Sequence, residues 1–150
     1  MKPTTPEAAA PRLADFLCFA VYSANLAFGR AYKPILDQLG LTYPQYIAIV
    51  ALWEEDDQTV SRLGEKLFLE SNTLTPILKK LESMGYLTRR RDPRDERQVR
   101  VNLTEAGRRL REKGLTMNLI KQTRLPPEEF AKLQKAVSTL RDSLMEAVGE

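Results

Sequence analysis

The apolar positions of the chain change period along its length, and each change marks an element. Residues 16–29 hold 14 positions without a charge, short of the roughly 20 that a membrane-spanning helix needs, so they read as a helix buried on most sides. The pattern predicts a first helix from near Arg12 to Arg30, ending around Gly29, then a shorter helical piece that opens near Pro34 and stops at Gly40. Thr42 can cap the next helix with Gln45 reaching back to it, and Pro44 falls in the first turn, where its missing amide hydrogen costs little. Tyr46, Ile47, Ile49, Val50 and Trp53 give that helix an apolar face, which ends at Glu54-Glu55-Asp56-Asp57.

Thr59 can cap a short helix, VSRLGEKL, and a link at Phe68-Leu69-Glu70 leads to a second helix beginning near Ser71. There Leu74, Ile77, Leu78, Leu81 and Met84 recur at steps of three and four, with Asn72, Thr73, Thr75, Lys79 and Lys80 off the stripe and Gly85 closing the helix. Two short helices with a tight link, the second opening on small hydrogen-bonding side chains, have the form of a helix-turn-helix. Pro76 removes one backbone hydrogen bond near the start of the second helix and should bend it. Beyond Gly85 the period becomes that of strands: residues 86–90 and 98–103 flank a charged loop, Arg91-Asp92-Pro93-Arg94-Asp95-Glu96-Arg97, and predict a β-hairpin wing with an arginine-rich tip. Thr104 caps a helix running to about Thr123. Pro126-Pro127 precedes a last helix in which Phe130, Leu133, Val137, Leu140, Leu144 and Val148 approach a coiled-coil seam.

Composition narrows the chemistry. With 150 residues, 29% charged and 43% hydrophobic, the chain is about one ordinary globular domain. Histidine is absent, which excludes catalytic triads, imidazole zinc sites and histidine general bases. The single cysteine, Cys18, excludes an intrachain disulfide and a thiolate metal cluster, so neither metal nor cofactor is expected. Residues 1–11 lack an apolar signal core and read as a flexible arm of a cytoplasmic protein without a membrane partner. The net charge of +3 is uneven: residues 79–111 carry eleven Lys or Arg against five acids, leaving the remainder acidic. Basic stripe, paired helices and basic hairpin coincide on one stretch, and together they point to DNA.

The residues Asn72-Thr73-Leu74-Thr75-Pro76-Ile77-Leu78-Lys79-Lys80-Leu81-Glu82-Ser83-Met84-Gly85-Tyr86-Leu87, the run from Arg91 to Arg97, and Leu103-Thr104-Glu105-Ala106-Gly107 resemble the core of MarR-type winged-helix repressors. Cys18 in an apolar first helix, with Tyr22, Tyr32 and Leu41-Thr42-Tyr43-Pro44-Gln45-Tyr46, is similar to the OhrR branch, the organic hydroperoxide sensors. The resemblance runs from about Leu13 to the end. It implies a mainly α winged helix-turn-helix fold with a small β-hairpin wing: sensor and dimerisation helices over 12–40, a DNA-binding region over 41–103, and dimerisation helices over 104–150. The terminal helices would interlock in a homodimer.

Roles follow from that resemblance. Ser71, Asn72, Thr73 and Thr75 would meet bases or phosphates of a pseudo-palindromic operator, Lys79 and Lys80 would meet phosphates, Arg89, Arg90 and Arg91 would also bind the DNA, and Arg94 would enter a minor groove. Asp92 and Arg97 would brace the wing as an ion pair. Peroxides are attacked by thiolate, and a free cysteine, with a pKa of about 8.5, supplies little of it at neutral pH. With no histidine available, and Cys18 nearly two turns into its predicted helix, the stabilising groups are tyrosine hydroxyls. Tyr22 lies one turn on, and Tyr32 and Tyr43 come, by the resemblance, from the partner subunit. Phe16, Phe19 and Val21 would line a pocket favouring organic peroxides. No second cysteine stands near Lys121-Gln122-Thr123, so oxidation would stop at sulfenic acid or proceed to a mixed disulfide with a small cellular thiol, a cyclic sulfenamide or over-oxidation. Two alternatives stay open: a repressor released by a small aromatic ligand, with Cys18 structural, and a thiol peroxidase.

Overall fold

The computed structural model describes residues 9–113 and 120–149. The element order is α1 (Leu17–Leu39), α2 (Tyr43–Glu54), β1 (Gln58–Thr59), α3 (Val60–Leu67), α4 (Ser71–Ser83), β2 (Leu87–Asp92), β3 (Asp95–Leu103), α5 (Glu105–Arg109) and α6 (Pro127–Gly149), with 3-10 turns at Leu13–Asp15 and Leu110–Lys113. Most of the predicted arm and the middle of the helix expected to reach Thr123 lie outside the described residues. The chain divides into two compact units, Met1–Tyr43 and Pro44–Glu150.

In the first unit, the two predicted helical pieces are one. α1 runs unbroken through Gly29 and Pro34 and starts at Leu17 rather than near Arg12. Proline inside a helix leaves one carbonyl without a donor, here that of Arg30, and both residues are exposed, so water can take it. Gly40, at φ 67°, closes the helix, with its amide donating to the Asp37 carbonyl and the Leu41 amide to that of Leu36. Ile35, Leu36, Leu39 and Leu41 are buried. The opposite end departs from expectation: Leu17, Phe19, Val21, Tyr22, Leu26 and Phe28 are exposed.

The second unit builds its core from local periodicities that the sequence shows. Ala48, Ile49 and Leu52 of α2, Leu63 of α3, Leu74, Leu78 and Leu81 of α4 and Val101 of β3 are 0% exposed. The Thr59 hydroxyl caps α3 by accepting from the Arg62 amide at 3.2 Å. Phe68, at φ 58°, ends α3, and a Cβ on Gly64 would lie 2.6 Å from the Leu69 carbonyl oxygen, so this tight turn requires glycine. α4 then continues through Pro76 as one helix. Arg141 of α6 lies over the Phe68 ring, 4.3 Å from its centre.

The sheet holds one strand that sequence reading did not provide. β1 pairs antiparallel with β3, giving the order β1-β3-β2. Gln58 of β1 is buried and donates to the carbonyls of Ala51 (3.3 Å) and Glu55 at the end of α2. The hairpin is longer than predicted. β2 and β3 pair from Leu87↔Leu103 to Arg91↔Val99, then shift register to Asp92↔Asp95, leaving a tip of Pro93 and Arg94. Arg91, Asp92, Asp95, Glu96 and Arg97 therefore belong to strands rather than to a loop. Thr104 caps α5, accepting from the Gly107 amide at 3.1 Å. α6 follows the Pro126-Pro127 break as expected, and none of its residues is buried.

Candidate nucleic-acid interface and thiol site

The start of α4 presents Ser71, Asn72 and Thr73 to solvent, with Thr75 half-buried. The Thr75 hydroxyl donates to the Ser71 carbonyl at 2.7 Å, which leaves its oxygen lone pairs as acceptors. Lys79 and Lys80 are exposed further along the same helix.

The wing cations are not equivalent. Arg89 is tied to Glu82 of α4: its amide donates to Oε2 at 2.9 Å and Nη2 to Oε1 at 3.1 Å. These bonds from Arg89 hold the Glu82 carboxyl below its ordinary value. Arg89 thus joins wing to helix, and its side chain is 22% exposed. Arg90 is open to solvent 3.8 Å from Asp57, and Arg91 donates to the Glu96 carbonyl at 2.9 Å. Arg94 stands exposed at the tip, with its amide donating to Asp92 Oδ1 at 2.9 Å.

The expected Asp92–Arg97 brace is replaced. Asp92 pairs with Arg100, Nη1 to Oδ2 at 3.1 Å, and Arg97 pairs with its neighbour Asp95 at 3.3 Å. The register shift at the tip is the reason: it places Asp92 opposite Asp95 and moves Arg97 off the ladder. Asp92 is held below the ordinary carboxylate range, first by the Arg94 amide and then by the Arg100 guanidinium. Arg100 does the same to Asp57, and its own pKa is raised in return. Arg100 is a residue of this surface that local patterning missed; its alternation in β3 was visible, but its partners are remote in sequence.

Cys18 differs from expectation in two ways. It is exposed, not buried, and it lies in the first turn of α1 rather than nearly two turns in. First-turn amides have no helical acceptor and face an anion held there. Tyr22, one turn on, is 61% exposed. Tyr32 is half-buried between two rings, Phe28 at 5.4 Å and Tyr43 at 6.1 Å. Because α1 is continuous, the 14 positions from Cys18 to Tyr32 span about 21 Å along its axis. The structure thus brings Tyr32 and Tyr43 together but keeps both far from the thiol of their own chain. Phe16, Phe19 and Val21, the expected pocket, are 42%, 38% and 41% exposed.

Comparison with known proteins places this surface in a family. Residues 30–113 match the family described as transcriptional regulator SarA/Rot. The chain belongs to the SarA/Rot family. Its relatives include the organic hydroperoxide resistance transcriptional regulator of Bacillus subtilis, 43% identical over 138 residues, covering 89% of this chain and 92% of that protein. The HTH-type transcriptional regulator TtmR of Methylorubrum extorquens is 45% identical over 135 residues, 89% of this chain and 69% of the relative. Among solved structures, reduced AbfR bound to DNA superposes with a TM-score of 0.75 at 35% identity, covering 91% of this chain and 95% of AbfR. This SarA/Rot member is thus a transcriptional regulator with the MarR-like, OhrR-related winged-helix fold, and these relatives are regulators rather than enzymes. Among the described residues no helix is long and apolar enough to cross a membrane.

Proposed function

We propose that this DNA-binding transcriptional regulator is a homodimeric repressor that senses organic hydroperoxides through Cys18. The observation that carries the reading is the unbroken α1. It separates Cys18 from Tyr32 by about 21 Å, so a thiol tuned by these tyrosines requires a second copy, whose apolar terminal helices cover the first. The exposed faces of α1 and α6 supply that contact area. The name of the Bacillus subtilis relative, and the reduced state of the DNA-bound AbfR, support the redox reading.

In the reaction the Cys18 thiolate attacks one peroxide oxygen. An S–O bond forms, the O–O bond breaks, and the departing alkoxide takes a proton to leave as alcohol. Sulfur is oxidised to sulfenic acid as the peroxide is reduced. A small cellular thiol then condenses with the sulfenic acid, giving a mixed disulfide and water. Loss of the thiolate removes the acceptor for the tyrosine hydroxyls, and the DNA-binding lobes leave register with half-sites about one turn apart. A hundredfold drop in affinity corresponds to about 2.7 kcal/mol. On DNA, Asn72, Thr73 and Thr75 meet bases or phosphates, Lys79 and Lys80 meet phosphates, and Arg94 enters the minor groove.

The test is a gel shift on DNA upstream of the protein's own coding sequence, before and after cumene hydroperoxide. Wild type should be released and Cys18→Ser should stay bound. Release of Cys18→Ser at the wild-type dose removes the thiol switch.

A further inference from the structure

Arg100 makes bonds in two directions from the middle of β3. Its Nε donates to Asp57 Oδ1 at 2.9 Å and its Nη2 to the Asp57 carbonyl at 2.6 Å, while Nη1 donates to Asp92 Oδ2 at 3.1 Å. Asp57 lies between α2 and β1 and is held at φ 56°, a conformation that non-glycine residues rarely adopt. The other oxygen of Asp92 accepts the Arg94 amide. A continuous chain of bonds therefore runs from the α2–β1 turn, through Arg100 and Asp92, to the backbone of the residue at the wing tip. The links nearest the tip are the more sheltered: side-chain exposure is 10% for Asp92 and 27% for Arg100, against 45% for Asp57, and Arg94 is exposed.

We propose that Arg100 is a positioning residue for DNA binding, holding the wing tip so that Arg94 is presented at a fixed depth and angle. This rests on the reading of Arg94 as the wing's DNA probe. Beyond the register shift the hairpin tip has little pairing of its own. An unanchored tip has to be ordered when DNA binds, and that entropy is subtracted from affinity. Arg100 has its donors turned toward two aspartates, so its effect is exerted through Arg94 rather than on phosphate.

The experiment is a double-mutant cycle read by fluorescence anisotropy, on a duplex selected by the wild-type protein from a random-sequence pool. Arg94→Ala, Arg100→Gln and Asp57→Asn are measured singly, and the last two again in the Arg94→Ala background, across a salt series. Arg100→Gln should weaken binding about tenfold, and less than about twofold once Arg94 is alanine. Asp57→Asn should act in the same sense, although it makes the protein more positive where Arg100→Gln makes it less so; a simple charge effect would give opposite signs. Asp57→Asn also keeps the test alive if Arg100→Gln does not fold.

The slope of affinity against salt should stay at its wild-type value in both variants. A slope reduced by about one in Arg100→Gln makes Arg100 a phosphate contact and overturns the proposal. So does a loss that persists without Arg94, or no loss while Arg94→Ala remains damaging. If Arg94→Ala itself binds normally, or the pool yields no bound duplex, the reading of Arg94 fails and takes this inference with it.

Discussion

α4 and α6 carry similar aliphatic stripes and stand in opposite environments. Leu74, Leu78 and Leu81 of α4 are 0% exposed, whereas Leu133, Val137, Leu144 and Val148 of α6 are 52%, 46%, 57% and 83% exposed. The spacing of apolar residues says which face of a helix seeks cover; it does not say whether the cover comes from the same chain. α4 finds α3, β2 and the rest of its unit within one chain. Among the described residues, α6 and the start of α1 keep their apolar side chains exposed, and under the proposed function a second copy covers them.

Leu78→Ala should lower the unfolding free energy by about 2–5 kcal/mol, measured by denaturant titration, because it opens a cavity in a closed core. A loss below 1 kcal/mol would mean that the core is not closed around it. Leu144→Asp should leave the fold of the winged unit intact and weaken the homodimer about 100-fold, or ~2.7 kcal/mol, in sedimentation equilibrium, since an apolar interface leaves the new carboxylate without a partner. Undiminished association would place α6 outside the contact. Thr104→Ala removes the α5 cap and a 2.6 Å bond to the Gly85 carbonyl, and should cost about 1 kcal/mol in thermal unfolding.

The smallest effect is one of pH. Glu82 is held below its ordinary 4.5 by Arg89, so its ionised form favours the folded state. That contribution is complete above the unfolded value and is lost as pH falls through the lower folded one. Acidification from about pH 4.5 should therefore destabilise wild type more steeply than Glu82→Gln; parallel pH curves would show that the pair contributes nothing.

What could be read in the sequence was what local patterns encode. The strict alternation of β3, the caps Thr59 and Thr104, and the apolar stripe of α4 are short-range signals, and the winged helix follows from them. β1 escaped because two residues make no period, and its pairing with Val101 and Arg100 is remote. The wing brace escaped for the same reason, since Arg100 meets Asp57 43 positions away. The break expected at Gly29 and Pro34 followed the usual cost of both residues in helices, but that cost is small enough for the surroundings to override. At the thiol, residue types were legible and their distances were not. The late start of α1 at Leu17 put Cys18 in the first turn, and its continuity set Cys18 and Tyr32 far apart within one chain.

Trp53 gives the molecule an internal reporter. It is the protein's one tryptophan; its Nε1 donates to the Gly107 carbonyl at 3.0 Å, where α5 leaves the winged unit. A Cβ on Gly107 would fall 2.1 Å from the Tyr86 carbonyl oxygen, so this joint tolerates no side chain there. Any event that parts α5 from α2 strips the indole of its acceptor and admits water. The emission of a single, unlabelled fluorophore would then move to longer wavelength, making the opening of that joint visible in real time.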